Sequence, residues 1–142
     1  MTGIFYDTEE VESMAKEFTV RVEQTPLDMV VEFGTAMGQD VGVQYGYLTD
    51  LETMRLKLIE EECKEVHDAD STENLLKELA DLVYVTYGMA ATFGWDLDEA
   101  VRRVHASNMS KLGEDGKPIY REDGKVLKGP NYKKPDLSDL VS

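Results

Sequence analysis

Residues 49–83 read TDLETMRLKLIEEECKEVHDADSTENLLKELADLV, and this stretch decides the fold. Thr49, with Glu52 three residues on, has the pattern of a capping box at a helix start. Leu51, Met54, Leu58, Ile59, Cys63 and Val66 then recur at helical spacing, which predicts a long helix to about Val66. Residues 67–71 are a polar connection, after which Ser71 or Thr72 caps a second long helix running to Phe93. Leu75, Leu76, Leu79, Leu82, Val83, Val85, Tyr87, Met89 and Ala90 leave that helix apolar almost all round. Such a helix lies at the centre of its domain or packs against another subunit. A connection this short makes the two helices antiparallel neighbours.

Four carboxylates interrupt these apolar faces. Glu62 and Glu65 continue the stripe of Leu51 and Leu58, and Glu78 and Asp81 are again three residues apart. In an antiparallel pair, residues at one level have numbers with a constant sum. Glu65 with Glu78, and Glu62 with Asp81, both give 143. The two levels are about 4.5 Å apart at the helical rise, so all four carboxylates can converge between the helices. Like charges in such a place resist joint ionisation unless a cation holds them. An all-oxygen donor set favours a hard divalent ion, Mg2+ or Mn2+, and such ions commonly meet a phosphate as well. Other site patterns fit less well. Neither His67 nor His105 has a Glu three residues before it, as a ferritin-like di-iron site requires. The run from Asp68 has Glu73 where a calcium-binding loop needs glycine, and there is no phosphate-binding Gly-Lys-Ser or Gly-Lys-Thr.

Outward from this hairpin, Thr25-Pro26 predicts a helix start, with Gly38 ending that helix. Residues 38–48 read as a glycine-rich, aromatic loop. Asp96, with Glu99 three residues on, caps a third long helix ending near Lys111. The segments 117–121 and 125–128 flank Glu122-Asp123-Gly124 and predict a small hairpin, followed by an extended tail marked by Gly129-Pro130 and Lys134-Pro135. Residues 8–18 have the pattern of a short helix and 19–23 that of a strand. The expected organisation is one all-α domain over 1–142: an N-terminal extension (1–24), a helical core (25–112), and a basic hairpin and tail (113–142).

The composition fits this reading. The chain has 142 residues and a net charge of −14, which disfavours duplex nucleic acid and anionic membranes as partners. Seven of the 15 Lys and Arg lie between Lys111 and Lys134, so the helical body is more acidic still. Cys63 is the only cysteine, which leaves no intrachain disulfide and no cysteine zinc site. With no basic, apolar leader at the N-terminus and no uninterrupted apolar span, a cytoplasmic location is expected, the host cytoplasm if the chain is viral.

Glu61-Glu62-Cys63-Lys64-Glu65 followed by Glu78-Leu79-Ala80-Asp81 resembles the EExxE…ExxD signature of the all-α, MazG-like NTP pyrophosphohydrolases. Residues 107–111 and 123–132 resemble the C-terminal half of phage and bacterial proteins of the phosphoribosyl-ATP pyrophosphohydrolase-like branch, near the phage MazZ proteins that act on guanine nucleotides. The resemblance implies an antiparallel helical bundle. It further implies hydrolysis of a (d)NTP to the (d)NMP and pyrophosphate, with a lean toward (d)GTP. Glu62, Glu65, Glu78 and Asp81 would bind Mg2+, with Mn2+ able to substitute, and Glu61 would position or deprotonate the attacking water. Asn108, on the third helix's expected inward stripe with Leu97, Val101 and Val104, and Lys111, Lys125 and Lys128 would contact the substrate. Gln39, Tyr45, Tyr47 and Trp95 are candidates for meeting the base. The family resemblance implies a homodimer or homotetramer, with sites shared across subunits. The competing readings are hydrolysis of phosphoribosyl-ATP or of dUTP or dCTP on the same fold, and a non-enzymatic helical module whose acidic face meets a basic partner.

Overall fold

The computed structural model describes residues 7–12, 23–46 and 49–141. It is built of four principal helices: α1 (Pro26–Ala36), α2 (Thr49–His67), α3 (Thr72–Thr92) and α4 (Leu97–Met109). Residues 8–12 are also helical, in accord with the short helix expected there; most of the remaining expectation for 13–23 lies outside the described residues, as do Tyr47 and the side chain of Thr49. Among the described residues, no helix is long and apolar enough to cross a membrane.

The helix starts follow from their caps. Thr25 accepts from the Asp28 amide at 3.2 Å while Asp28 accepts from the Thr25 amide at 2.9 Å, a reciprocal box with Pro26 in the first turn. Ser71 accepts from the Asn74 amide at 3.0 Å and starts α3. Asp96 accepts from the Glu99 amide at 3.0 Å and starts α4. α1 ends at Ala36 with Met37 as its C-cap, and Gly38 follows with φ 69°, a conformation that glycine adopts freely.

α2 and α3 form the main packed pair, α1 lies against α3, and α4 touches α1. The loop after α1 is pinned to the end of α3 by Gly42 N–H to Ala91 O at 2.9 Å and Val43 N–H to Thr92 O at 2.7 Å. The core is centred there: Val30, Ala90, Ala91 and Phe93 are the buried apolar side chains among the described residues, and the fully buried Thr92 beside them bonds the Gly88 carbonyl at 2.8 Å. Phe33 meets Tyr84 edge to face at 5.7 Å.

Beyond α4 the chain forms a short hairpin and then turns back. Leu127 N–H bonds Ile119 O and Arg121 N–H bonds Lys125 O, both at 2.8 Å, around Gly124 at φ 85°. Gly129 then packs on the end of α4, its amide 2.8 Å from Lys111 O. A Cβ there would lie 2.3 Å from Leu112 O, so no larger residue fits. The tail runs back along α4 as a strap. Ser107 Oγ bonds Lys133 O at 2.7 Å, and Arg103 holds Asp136 O and the Asp139 carboxylate, each at 3.0 Å. The strap ends with Leu140 and Val141 beside Phe93 and Trp95.

This strap has a defined acid response. The Arg103 guanidinium beside it holds the Asp139 carboxyl below the usual range, and Arg103 and then Arg102 do the same for Glu99. A depressed carboxyl pKa stabilises the contact above the unfolded value and loses it as pH falls through the folded value. The clamp should therefore weaken as pH falls below the ordinary carboxyl value of about 4 and open at a more acidic pH still. Trp95, the only tryptophan, sits at the strap's end and should report the opening as a red shift in emission. In Asp139→Asn the red-shifted emission should already be present at neutral pH.

Candidate active site

The antiparallel register places Glu62, Glu78 and Asp81 together: one carboxylate oxygen from each lies within 4.8 Å of the others. Glu65, on the more exposed side, has its carboxyl against Glu78. A hydrogen bond between them, followed by the charges of Glu62 and Glu78, holds Glu65 above the usual carboxylate range. A raised carboxyl pKa means that the metal-free fold retains a proton the unfolded chain would release. That share of stability is present below the ordinary pKa and is lost as pH rises through the raised one.

The hairpin turn orients this group. Asn74, fixed by the Ser71 cap, donates its side-chain amide to Glu78 Oε1 at 3.0 Å. Lys77 reaches the same oxygen at 3.2 Å and Asp81 Oδ2 at 2.7 Å. Glu78 is only 6% exposed, and Glu78 Oε2 and Glu62 Oε2 are both enclosed with no hydrogen-bond donor. Two buried carboxylate oxygens without donors are costly as they stand. A hard divalent ion would satisfy both, and an all-carboxylate donor set is the kind such an ion takes. The residues present therefore fit a metal ion, by donor chemistry and by their unmet valence.

Sequence reasoning passed over two residues here. Lys77 was legible as the residue four before Asp81. Arg55 was legible by the same register, since Arg55 and Gly88 also give 143. Its guanidinium is buried against Gly88, where a Cβ would lie 2.9 Å from Nη1, and it donates to Gln39 Oε1 at 3.2 Å. Burial pushes its pKa down, partly offset by the charge of Asp40.

The other expected site residues do not join the carboxylates within the described chain. Glu61 is exposed, about 100° round α2 from Glu62. Asn108 is not inward-facing as expected: it is exposed, as are Val101 and Val104. The reason is the strap, which makes Arg103 and Ser107 the packed side of α4. Lys111 is half-buried at the end of α4, Lys125 lies in the hairpin, and Lys128 sits 4.7 Å over the Tyr132 ring.

Of the candidates for meeting a base, Gln39 is engaged with Arg55. Tyr45 and Trp95 form a cluster with Phe93, with ring centroids 5.1–5.2 Å apart, lining a cavity of about 390 Å3. Tyr45 bonds Glu52, which lies ten residues, or about 15 Å, along α2 from Glu62. The aromatic cluster therefore sits at the far end of the hairpin from the carboxylates.

The chain is similar to three kinds of known protein. The chain is 31% identical over 121 residues to protein L479 of Acanthamoeba polyphaga mimivirus; the match covers 79% of this chain, and the chain spans 45% of that protein's length. A crystal structure from Exiguobacterium sp. 255-15, of a protein proposed to be an NTP pyrophosphohydrolase, is 26% identical with a TM-score of 0.42, covering 92% of this chain and 75% of that one. The family model of phosphoribosyl-ATP pyrophosphohydrolase matches residues 30–108, a span that includes α2, α3 and all four carboxylates. The chain thus belongs to the phosphoribosyl-ATP pyrophosphohydrolase family, within the all-α MazG-like superfamily.

Proposed function

We propose that this protein is a metal-dependent nucleoside triphosphate pyrophosphohydrolase that converts a (d)NTP and water into the (d)NMP and pyrophosphate, with (d)GTP the favoured substrate. The observation that carries the reading is the meeting of Glu62, Glu78 and Asp81, two of them with a buried oxygen lacking any donor. Glu62, Glu65, Glu78 and Asp81 would hold Mg2+, or Mn2+ in its place. When bound, such an ion supplies positive charge to the phosphate oxygens and to the charge that develops as the α–β anhydride breaks. The chain's own contribution is positional. Asn74 fixes Glu78, and the α2–α3 packing fixes the spacing of the carboxylates. Glu61, exposed on α2 next to Glu62, would orient or deprotonate the attacking water.

Asn108, Lys111, Lys125 and Lys128 would contact the triphosphate from a neighbouring subunit, which accounts for their absence from the carboxylate cluster of one chain. The surface supports a homodimer or homotetramer: Leu76 is 69% and Val83 50% exposed on α3, and few apolar side chains are buried among the described residues. The family description favours one second reading, phosphoribosyl-ATP as the substrate.

The test is a panel of common NTPs and dNTPs together with phosphoribosyl-ATP, assayed with Mg2+ and with Mn2+ for the monophosphate product and pyrophosphate. The expected result is metal-dependent release with dGTP or GTP fastest. Phosphoribosyl-ATP turning over fastest would establish the second reading. No turnover of any member would reject both and favour the non-enzymatic acidic module.

A further inference from the structure

The carboxylate cluster already has a cation of its own. Lys77 lies on α3 beside Glu78 and one turn before Asp81, and its ammonium bonds a carboxylate oxygen of each, at 3.2 and 2.7 Å. Its side chain is 61% exposed, and with Ser71, Glu73 and Asn74 it lines a hollow of about 300 Å3 at the hairpin turn, so the stem has open space beside it. Lys77 touches the outer oxygens of the cluster and leaves Glu62 Oε2 and Glu78 Oε2 without donors. It therefore neutralises the cluster only in part.

We propose that Lys77 is a resident counter-cation that a divalent ion must displace, so that the site loads weakly with metal alone and fully when metal arrives with a polyanion. This rests on the reading of the four carboxylates as metal ligands. The physical reasons are charge and reach. A +1 ammonium and a +2 ion compete for Glu78 and Asp81, and moving a lysine into solvent forfeits two ion pairs. A triphosphate bound beside the ion offers the released ammonium new anionic oxygens, which lowers that cost. Lys77 thus sets a threshold on metal loading that nucleotide lifts.

The test compares the wild type with Lys77→Met, which keeps the stem and removes the charge. Lys77 is exposed, and retained helical circular dichroism will show that the variant folds. Calorimetric titration with Mn2+ alone should give roughly three- to ten-fold tighter binding for Lys77→Met, the scale of two partly exposed ion pairs. In the wild type, reductive methylation read at Lys77 by peptide mass spectrometry should increase when Mn2+ is added, because the ammonium leaves its partners. If neither the wild type nor Lys77→Met binds Mn2+, the carboxylates are not a metal site and the underlying reading fails. If the wild type binds Mn2+ but Lys77→Met binds it equally, the threshold is absent and this inference alone fails. Tighter binding by the variant with no change in Lys77 reactivity would show a lysine that stays in place, and would also overturn displacement.

Discussion

Glu78→Gln is expected to reduce metal-dependent pyrophosphate release about a thousand-fold while raising the melting temperature of the metal-free protein. Both effects come from the same atoms. Glu78 is buried, its Oε1 is held by Asn74 and Lys77, and its Oε2 has no donor. Glutamine keeps the shape and an acceptor for Asn74, removes one negative charge, and places an amide N–H₂ at the position of the unpartnered oxygen. That relieves like-charge repulsion and supplies a missing donor. A gain of about 1 kcal/mol corresponds to a melting shift of roughly 2–5 °C in a chain of this size. If Glu78 is the metal ligand proposed above, the same change removes a ligand from a site whose charge stabilisation is worth several kcal/mol; about 4 kcal/mol is a thousand-fold in rate. The melting increment produced by Mg2+ plus nucleotide should disappear in the variant. Asp81→Asn should lose activity in the same way. A Glu78→Gln protein that is less stable without metal yet turns over normally would mean that the cluster is structural.

That conflict between stability and chemistry is also why the site was legible before the fold. Four acids on matched levels of two otherwise apolar helical faces are a local inconsistency, and the numbering alone placed Glu62 beside Asp81 and Glu65 beside Glu78. The caps at Thr25, Ser71 and Asp96 were legible for a similar reason, since a short side chain and the amide three residues on form a contact within one turn. What the sequence concealed depends on distant segments. Asn108 had the right helical phase to face inward, but the strap that covers Arg103 and Ser107 begins more than twenty residues after α4 ends. Nothing in the spacing of Tyr45, Phe93 and Trp95 shows that two loops bring their rings together at the far end of the hairpin. Arg55 was not concealed in this way: the constant sum of 143 pairs it with Gly88, whose missing side chain makes room for it.

Charging the outer face of α3 should dissociate the protein. Leu76, Leu79 and Val83 follow one another at steps of three and four along α3 and are 69%, 43% and 50% exposed in the single chain. Residues at those steps share one helix face. α3 thus has two apolar sides: one meets α1 and α2, and the other is uncovered in one chain. Covering a leucine or valine completely is worth roughly 1.5–3 kcal/mol, and a two-fold axis counts each residue twice. Leu76→Glu combined with Val83→Glu replaces that gain with two acids on each side of the contact, whose burial without partners costs several kcal/mol more. The subunit dissociation constant should therefore rise by at least about a thousand-fold, 4 kcal/mol being that factor. Light scattering at micromolar concentration should give a multiple of 16.0 kDa for the wild type and the single-chain mass for the variant. Because both residues are exposed in the isolated chain, the variant should keep its helical content. Its pyrophosphate release should nevertheless fall, since Asn108, Lys111, Lys125 and Lys128 would no longer reach a neighbour's carboxylates. A monomeric variant with full activity would place every catalytic group within one chain, and a wild type that is already monomeric would leave the face of Leu76 and Val83 without the partner expected here.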